Sequence, residues 1–247
     1  MIDNEVALME EKAKAFLTRQ GIERLAYQAF WDSFGIKFGV EEAEMLEFNL
    51  SQTIEASRDP KHFDFFKSFS ENYDILVGVL ADVGCAVHNY LNEISPKKEI
   101  KIYEAGTSGL IACFIAEELG GKSQVKGYHF RPEMVQLAMK RNRAEGITNL
   151  GFYVQSHFTP THWEWGDADI LIDNTGGEDP NLSIDGLTAS EVRTKHGGLI
   201  IGTAYPQILN TDQITILERN GLLVQDMPII ATVPVTEHYR NIHLIKS

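Results

Sequence analysis

The sequence predicts an α/β protein with a mostly parallel sheet, and three observations carry that reading. From residue 99 onward β-rich runs alternate with helix-forming runs, the pattern of strand–helix–strand units whose strands are covered on both faces. Asp169-Ile-Leu-Ile-Asp173 and the Leu-Ile-Ile run after Gly197-Gly198 are short, continuous and apolar, as fully buried strands are. The last two strands have no room between them for a crossover helix, so they run antiparallel. The result is a seven-stranded sheet with an antiparallel C-terminal pair, preceded by a helical segment.

The elements follow in order. Glu5 to Arg19 is a charged helix, and Ile22, Leu25, Ala26, Ala29, Phe30 and Phe34 fall near helical spacing, giving a second helix with a broad apolar stripe. Residues 40–56 read as a third. Asp59-Pro60 sets a capping residue before a proline suited to the first helical position. From there Phe63, Phe66, Tyr73, Leu76, Leu80, Val83, Val87 and Leu91 mark a long helix, with Gly78 and Gly84 as weak points. Pro96-Lys97-Lys98 is the junction between a helical cap, residues 1–96, and an α/β domain, residues 97–247. Strand 100–105 leads to helix 109–119, which Gly120-Gly121 ends. Strand 124–130 leads to a helix that starts at Pro132 and stops before Gly146. Strands 150–156 and 169–173 come next, then a helix around 186–195 and a fifth strand after Gly197-Gly198. Helix 211–219 and strands 222–233 and 239–246 complete the chain.

Composition narrows the function classes. Hydrophobic residues make up 43% of the 247, ample for a core. No apolar run is expected to reach the roughly 20 residues of a membrane span. The N-terminus lacks the basic start and apolar block of a signal peptide. Cys85 and Cys113 are too few for a disulfide framework, so a reducing cytoplasm is the expected setting. A net charge of −13 repels a phosphate backbone, and Lys140-Arg-Asn-Arg143 reads as the last turn of a helix. His62, His88, His196 and His243 show no metal-ligand spacing, so no metal is expected. The expected partner is a small molecule, with neither nucleic acid nor membrane.

Residues 101–112 say the most about function. A strand stops at Glu104, gives way to Gly106-Thr107-Ser108-Gly109, and continues as a helix. This arrangement brings backbone N–H groups and a helix N-terminus to a nucleotide-like ligand, and the two glycines supply any positive φ the turn needs.

Together with the β–α order and the antiparallel ending, these residues resemble class I (Rossmann-like) S-adenosylmethionine-dependent methyltransferases over about residues 70–247. Tyr103-Glu-Ala-Gly-Thr-Ser-Gly109 stands in place of that family's glycine motif. Gly127-Tyr-His-Phe-Arg-Pro-Glu-Met-Val135 stands where the family has a strand end, a ribose-binding acid and Ser-Pro-Glu-Met, and His196-Gly-Gly-Leu-Ile-Ile201 resembles its approach to strand five. The resemblance implies a three-layer αβα sandwich and methyl transfer from S-adenosylmethionine to a small aromatic or heterocyclic acceptor. The helical segment resembles the caps that enclose such acceptors, and is a candidate dimer surface. The chain departs from the family in three places. Its glycine motif is one residue short with two glycines, and His129 and His157 replace acids after strands two and three. A neutral histidine cannot accept from both ribose hydroxyls as a carboxylate can. The loop also resembles that of NADP-dependent reductases and epimerases, with Arg131 placed to suit a 2′-phosphate. No Tyr-x-x-x-Lys pair supports that alternative. A catalytically silent binding protein and a structural partner protein remain the other readings.

Under the methyltransferase resemblance, Glu104 holds the cofactor's amino group or ribose, or else caps the following turn. Gly106, Thr107, Ser108 and Gly109 form the loop under the cofactor, with His129, Arg131, His157, Phe158, Asn174 and Thr175 around it. If both histidines act as neutral acceptors, binding weakens as pH falls through about 6.5. His162 is the candidate general base and Tyr205 a second catalytic candidate. Phe66, Trp163, His238 and Tyr239 are candidate acceptor contacts, with packing an equal reading for the tryptophan.

Overall fold

A computed structural model describes residues 2–20, 69–95, 99–107, 109–157, 167–174, 180–205, 209–232 and 238–247. Helices α1 (Ile2–Arg19) and α2 (Phe69–Ile94) come first. They are followed by β1 (Ile100–Ala105), α3 (Leu110–Leu119), β2 (Ser123–His129), α4 (Pro132–Glu145), β3 (Leu150–Val154) and β4 (Ala168–Asp173). Next come α5 (Pro180–Arg193), β5 (Thr194–Tyr205), α6 (Thr211–Arg219), β6 (Leu222–Asp226), β7 (Ile229–Thr232) and β8 (His238–Lys246). The helices expected over 22–34 and 40–56, the start at Asp59-Pro60, and the junction at 96–98 lie outside the described residues.

The strands form one eight-stranded sheet in the order β3-β2-β1-β4-β5-β8-β6, with β7 also on β8. β1 to β5 pair in parallel. β8 runs antiparallel to β5, β6 and β7. The chain moves outward from β1 to β3, then returns to lay β4 on the other side of β1. The carboxyl ends of β1 and β4 thus meet at a topological switch point, where open α/β sheets bind ligands.

The strand expected over 222–233 is two strands, which makes the count eight rather than seven. Pro228 interrupts it, having no N–H to give the ladder. β6 covers Lys246 to His243 of β8, and β7 resumes at Arg240. Across the break, Arg240 Nη1 donates to the Met227 carbonyl at 2.9 Å. β5 also begins earlier than expected. Gly197-Gly198 lies inside it, where the pairing with β4 slips between Ala168 and Ile170.

Strand alternation sorts side chains to two faces. Ile100, Ile102, Val125, Ile170, Ile172, Leu199 and Ile201 share one core with α2 and α3, and Met9, Ala13, Phe16 and Leu17 of α1 join it. Tyr103, Ala105, Tyr128, Leu171 and Ile200 belong to a second core with Leu187 of α5 and Leu217 of α6. Among the described residues one stretch, Tyr73–Ile94, is long and apolar enough to cross a membrane, contrary to the expectation of none. Its Val79, Leu80, Val83 and Val87 are buried in the first core, so apolarity here serves packing. The glycines of α2 also serve packing. A Cβ on Gly78 would lie 2.7 Å from the Ile230 carbonyl oxygen, and one on Gly84 2.7 Å from Met9 Sδ. Both let neighbours approach closely.

Candidate functional site

The turn after β1 is built from inside. Gly106 and Gly109 have φ of +74° and +87°, a region that costs residues with a Cβ. The N–H groups of Gly106 and Thr107 both donate to the Tyr128 carbonyl, at 3.0 and 3.2 Å, drawing the turn over the end of β2. Thr107 is fully buried; its Oγ1 accepts from the Gly109 N–H at 2.9 Å and donates to Glu104 Oε2. The same Glu104 oxygen accepts from the Ala112 N–H at 3.1 Å, in the first turn of α3. Glu104 therefore caps that turn, while its Oε1 is buried without a hydrogen-bond partner among the described residues. Burial pushes its carboxyl up to about 7, against the Thr107 and Ala112 hydrogen bonds and the Arg141 charge, which act to lower it. Of the loop N–H groups expected to face a ligand, those of Gly106, Thr107 and Gly109 are committed within the protein. Ser108 lies outside the described residues.

At the end of β2, His129 Nδ1 accepts from the Arg131 N–H at 2.9 Å, which leaves the hydrogen of the neutral ring on Nε2. Its ring stacks on Phe130 at 4.8 Å between centroids, and the Arg131 guanidinium lies 5.4 Å from the same ring. Phe130 is 61% exposed, an aromatic face at the carboxyl end of β2. The sequence reading passed over it, although it stands between His129 and Arg131.

His157 does not stand at the opening as expected. It is 4% exposed, with Tyr128 Oη donating to Nδ1 at 3.0 Å. Nε2 donates to the Gly186 carbonyl at 2.8 Å and lies 3.2 Å from Ser190 Oγ. The ring thus bonds β2 to α5. Burial lowers its pKa, opposed by the Asp173 carboxylate. Arg193, 2% exposed, places its guanidinium 5.6 Å from the Tyr128 ring. Tyr128, Asp173, Ser190 and Arg193 form a buried polar neighbourhood that sequence reasoning missed. The one signal was period-two alternation, which sets Tyr128 on the α5 side.

At the tips of β4 and β5, the Asn174 N–H donates to the Ala105 carbonyl at 2.9 Å, and Asn174 Oδ1 accepts from Thr203 Oγ1 at 2.9 Å. Tyr205 is 3% exposed, and burial, with Asp173 adding to it, holds its phenol well above the usual range. The hydroxyl therefore stays neutral near pH 7. Arg240 of β8 pairs with Tyr205, so His238 and Tyr239 come to the same end of the sheet. Phe66, Phe158, His162, Trp163 and Thr175 lie outside the described residues. Among the described residues no group of three or more His, Cys, Asp or Glu side chains could hold a metal.

No family model matches the chain, and no curated protein matches it. Solved structures do. The chain is similar to magnesium protoporphyrin IX methyltransferase from Synechocystis PCC 6803 with bound SAM, at 17% identity and a TM-score of 0.55, over 70% of this chain and 82% of that one. It is similar to a ribosomal protein L11 methylase from Lactobacillus delbrueckii subsp. bulgaricus at 13% identity and 0.51, over 72% and 79%. A geranyl diphosphate methyltransferase in complex with SAM matches at 13% identity and 0.50, over 66% and 85%. The chain has the fold of class I SAM-dependent methyltransferases.

Proposed function

We propose that this chain transfers a methyl group from S-adenosylmethionine (SAM) to a small aromatic or heterocyclic acceptor. The observation that carries the reading is the loop at the switch point. Its N–H groups at Gly106, Thr107 and Gly109 are bonded internally, and the buried carboxyl of Glu104 beneath it has one oxygen without a partner. Such a loop suits a ligand with positive charge. A dinucleotide pyrophosphate needs open N–H groups and no carboxylate nearby, so the same geometry counts against the NADP alternative.

SAM supplies a methyl group on a cationic sulfonium. Residues 104–109 would hold it from below. His129 and Phe130, stacked on each other, would offer a flat face beside the adenosine, and Arg131 a cation. Asn174, tied to the tips of β1 and β5, would fix the edge nearest the reacting atoms. The rest of the work is alignment of the acceptor and, for a hydroxyl, removal of its proton. That second role falls to His162, with Phe66, Trp163, His238 and Tyr239 as acceptor contacts.

Calorimetric titration with S-adenosylhomocysteine tests the proposal. Saturable binding is expected; no detectable binding at millimolar ligand overturns it. The internal commitment of His157 favours one second reading, a binding protein without turnover. Methylated product from a panel of aromatic and heterocyclic acceptors would dismiss it.

A further inference from the structure

The proposed function uses Glu104 only as part of the loop beneath the cofactor and assigns no role to its protonation. It is fully buried, it takes two hydrogen bonds on one oxygen, and its other oxygen has none. The groups facing it come from each element around it. On α4 there is the Arg141 guanidinium, itself buried, which acts on the carboxyl through space. On α3 there is the Cys113 thiol, held neutral by burial, with Glu104 itself adding to the rise, while the Tyr128 phenol of β2 lies on the opposite face of the sheet. Desolvation outweighs the one cation. An unpartnered carboxylate oxygen is costly to keep charged in such a place, and a proton on it removes most of that cost.

We infer that Glu104 is a proton switch of the SAM site: it carries a proton in the empty protein and releases it to solvent when the cationic cofactor settles over the loop. The inference rests on the proposed function, because it needs a positive ligand at residues 104–109. The empty-state carboxyl titrates at about 7, so both forms are populated near neutrality and a modest field decides between them. A unit positive charge about 8 Å away, at an effective dielectric of about 20, lowers a carboxyl pKa by on the order of 1.5 units. Binding then releases about half a proton per ligand at pH 7 and less than about 0.1 at pH 8.5. By the same linkage, affinity rises about eightfold from pH 6 to pH 8.

The test is calorimetry of SAM binding in two buffers of different ionisation enthalpy, which counts protons exchanged. The ligand's amino group exchanges protons equally with wild type and with Glu104→Gln, so their difference isolates the carboxyl. A difference of about half a proton at pH 7, vanishing at pH 8.5, is expected. Equal counts overturn the inference. If the variant does not fold, wild type alone decides: S-adenosylhomocysteine lacks the sulfonium charge and should release less than about half as much as SAM. Equal release from the two ligands again overturns it. Wild type that binds neither ligand removes the proposed function itself, an outcome distinct from binding without proton release.

Discussion

Gly109→Ala should unseat the helix that carries the glycine loop. Gly109 is buried at the head of α3 with φ +87°, and an added Cβ would lie 2.7 Å from Ala138 Cα and 2.9 Å from Ala138 Cβ on α4. The left-handed backbone costs an alanine about 1–2 kcal/mol. Overpacking against a backbone atom that cannot swing aside adds about 1–3 kcal/mol. A total of about 2–5 kcal/mol is a large part of the roughly 5–15 kcal/mol that holds a domain folded. At about 2–4 °C per kcal/mol for a chain of this size, melting should fall by on the order of 10 °C. The second contact allows an internal check. Ala138→Gly in the Gly109→Ala background removes the Cβ at 2.9 Å but leaves the Cα at 2.7 Å, so it should restore only a minor part of the loss. Urea unfolding of the three proteins measures this. A Gly109→Ala protein within about 0.5 kcal/mol of wild type would refute the account of α3–α4 packing.

Two further predictions concern pH. Glu104 has a folded pKa raised from 4.5 to about 7, so the stability it gives is complete below about 4.5 and is lost as pH rises through 7. Glu104→Gln should abolish that loss, on the order of 3 kcal/mol between pH 4 and pH 8, and unfolding curves that stay parallel for the two proteins over that range would contradict the burial argument. His157 behaves in the opposite sense. Its folded pKa is lowered, so its contribution is present above about 6.5 and fades as pH falls below it. Wild type should lose more stability than His157→Gln between pH 7 and pH 5, and an equal loss would place His157 in contact with water.

Much of the fold was legible because its signals are local. The ends of α4 were set by Pro132 and Gly146, and the end of α6 by Asn220-Gly221. The antiparallel ending followed from connection length alone. Errors came where a distant partner decides. Whether Pro228 breaks a strand or edges it depends on β8, which supplies partners on both sides of the gap. Whether Gly78 weakens α2 depends on β7 lying against it.

The site was legible as a place and less so as chemistry, because residue type does not reveal the direction of a hydrogen bond. His129 and His157 look equivalent in the sequence, each standing where a carboxylate is familiar. In the structure His129 Nδ1 accepts from the Arg131 N–H, which makes its other nitrogen a donor. His157 spends both nitrogens on Tyr128 and α5. Neither is then the neutral acceptor that would lose cofactor affinity on protonation. A pH dependence near neutrality has a better source in Glu104, read in the sequence first as a cofactor contact and otherwise as a turn cap; in the structure it caps the first turn of α3. Its sequence neighbours gave no hint that Thr107 and Ala112 would both bond one oxygen and leave the other buried and unmatched among the described residues. Capping and the proposed ligand sensing are compatible: both hydrogen bonds that hold the loop fall on Oε2, and Oε1 takes none among the described residues.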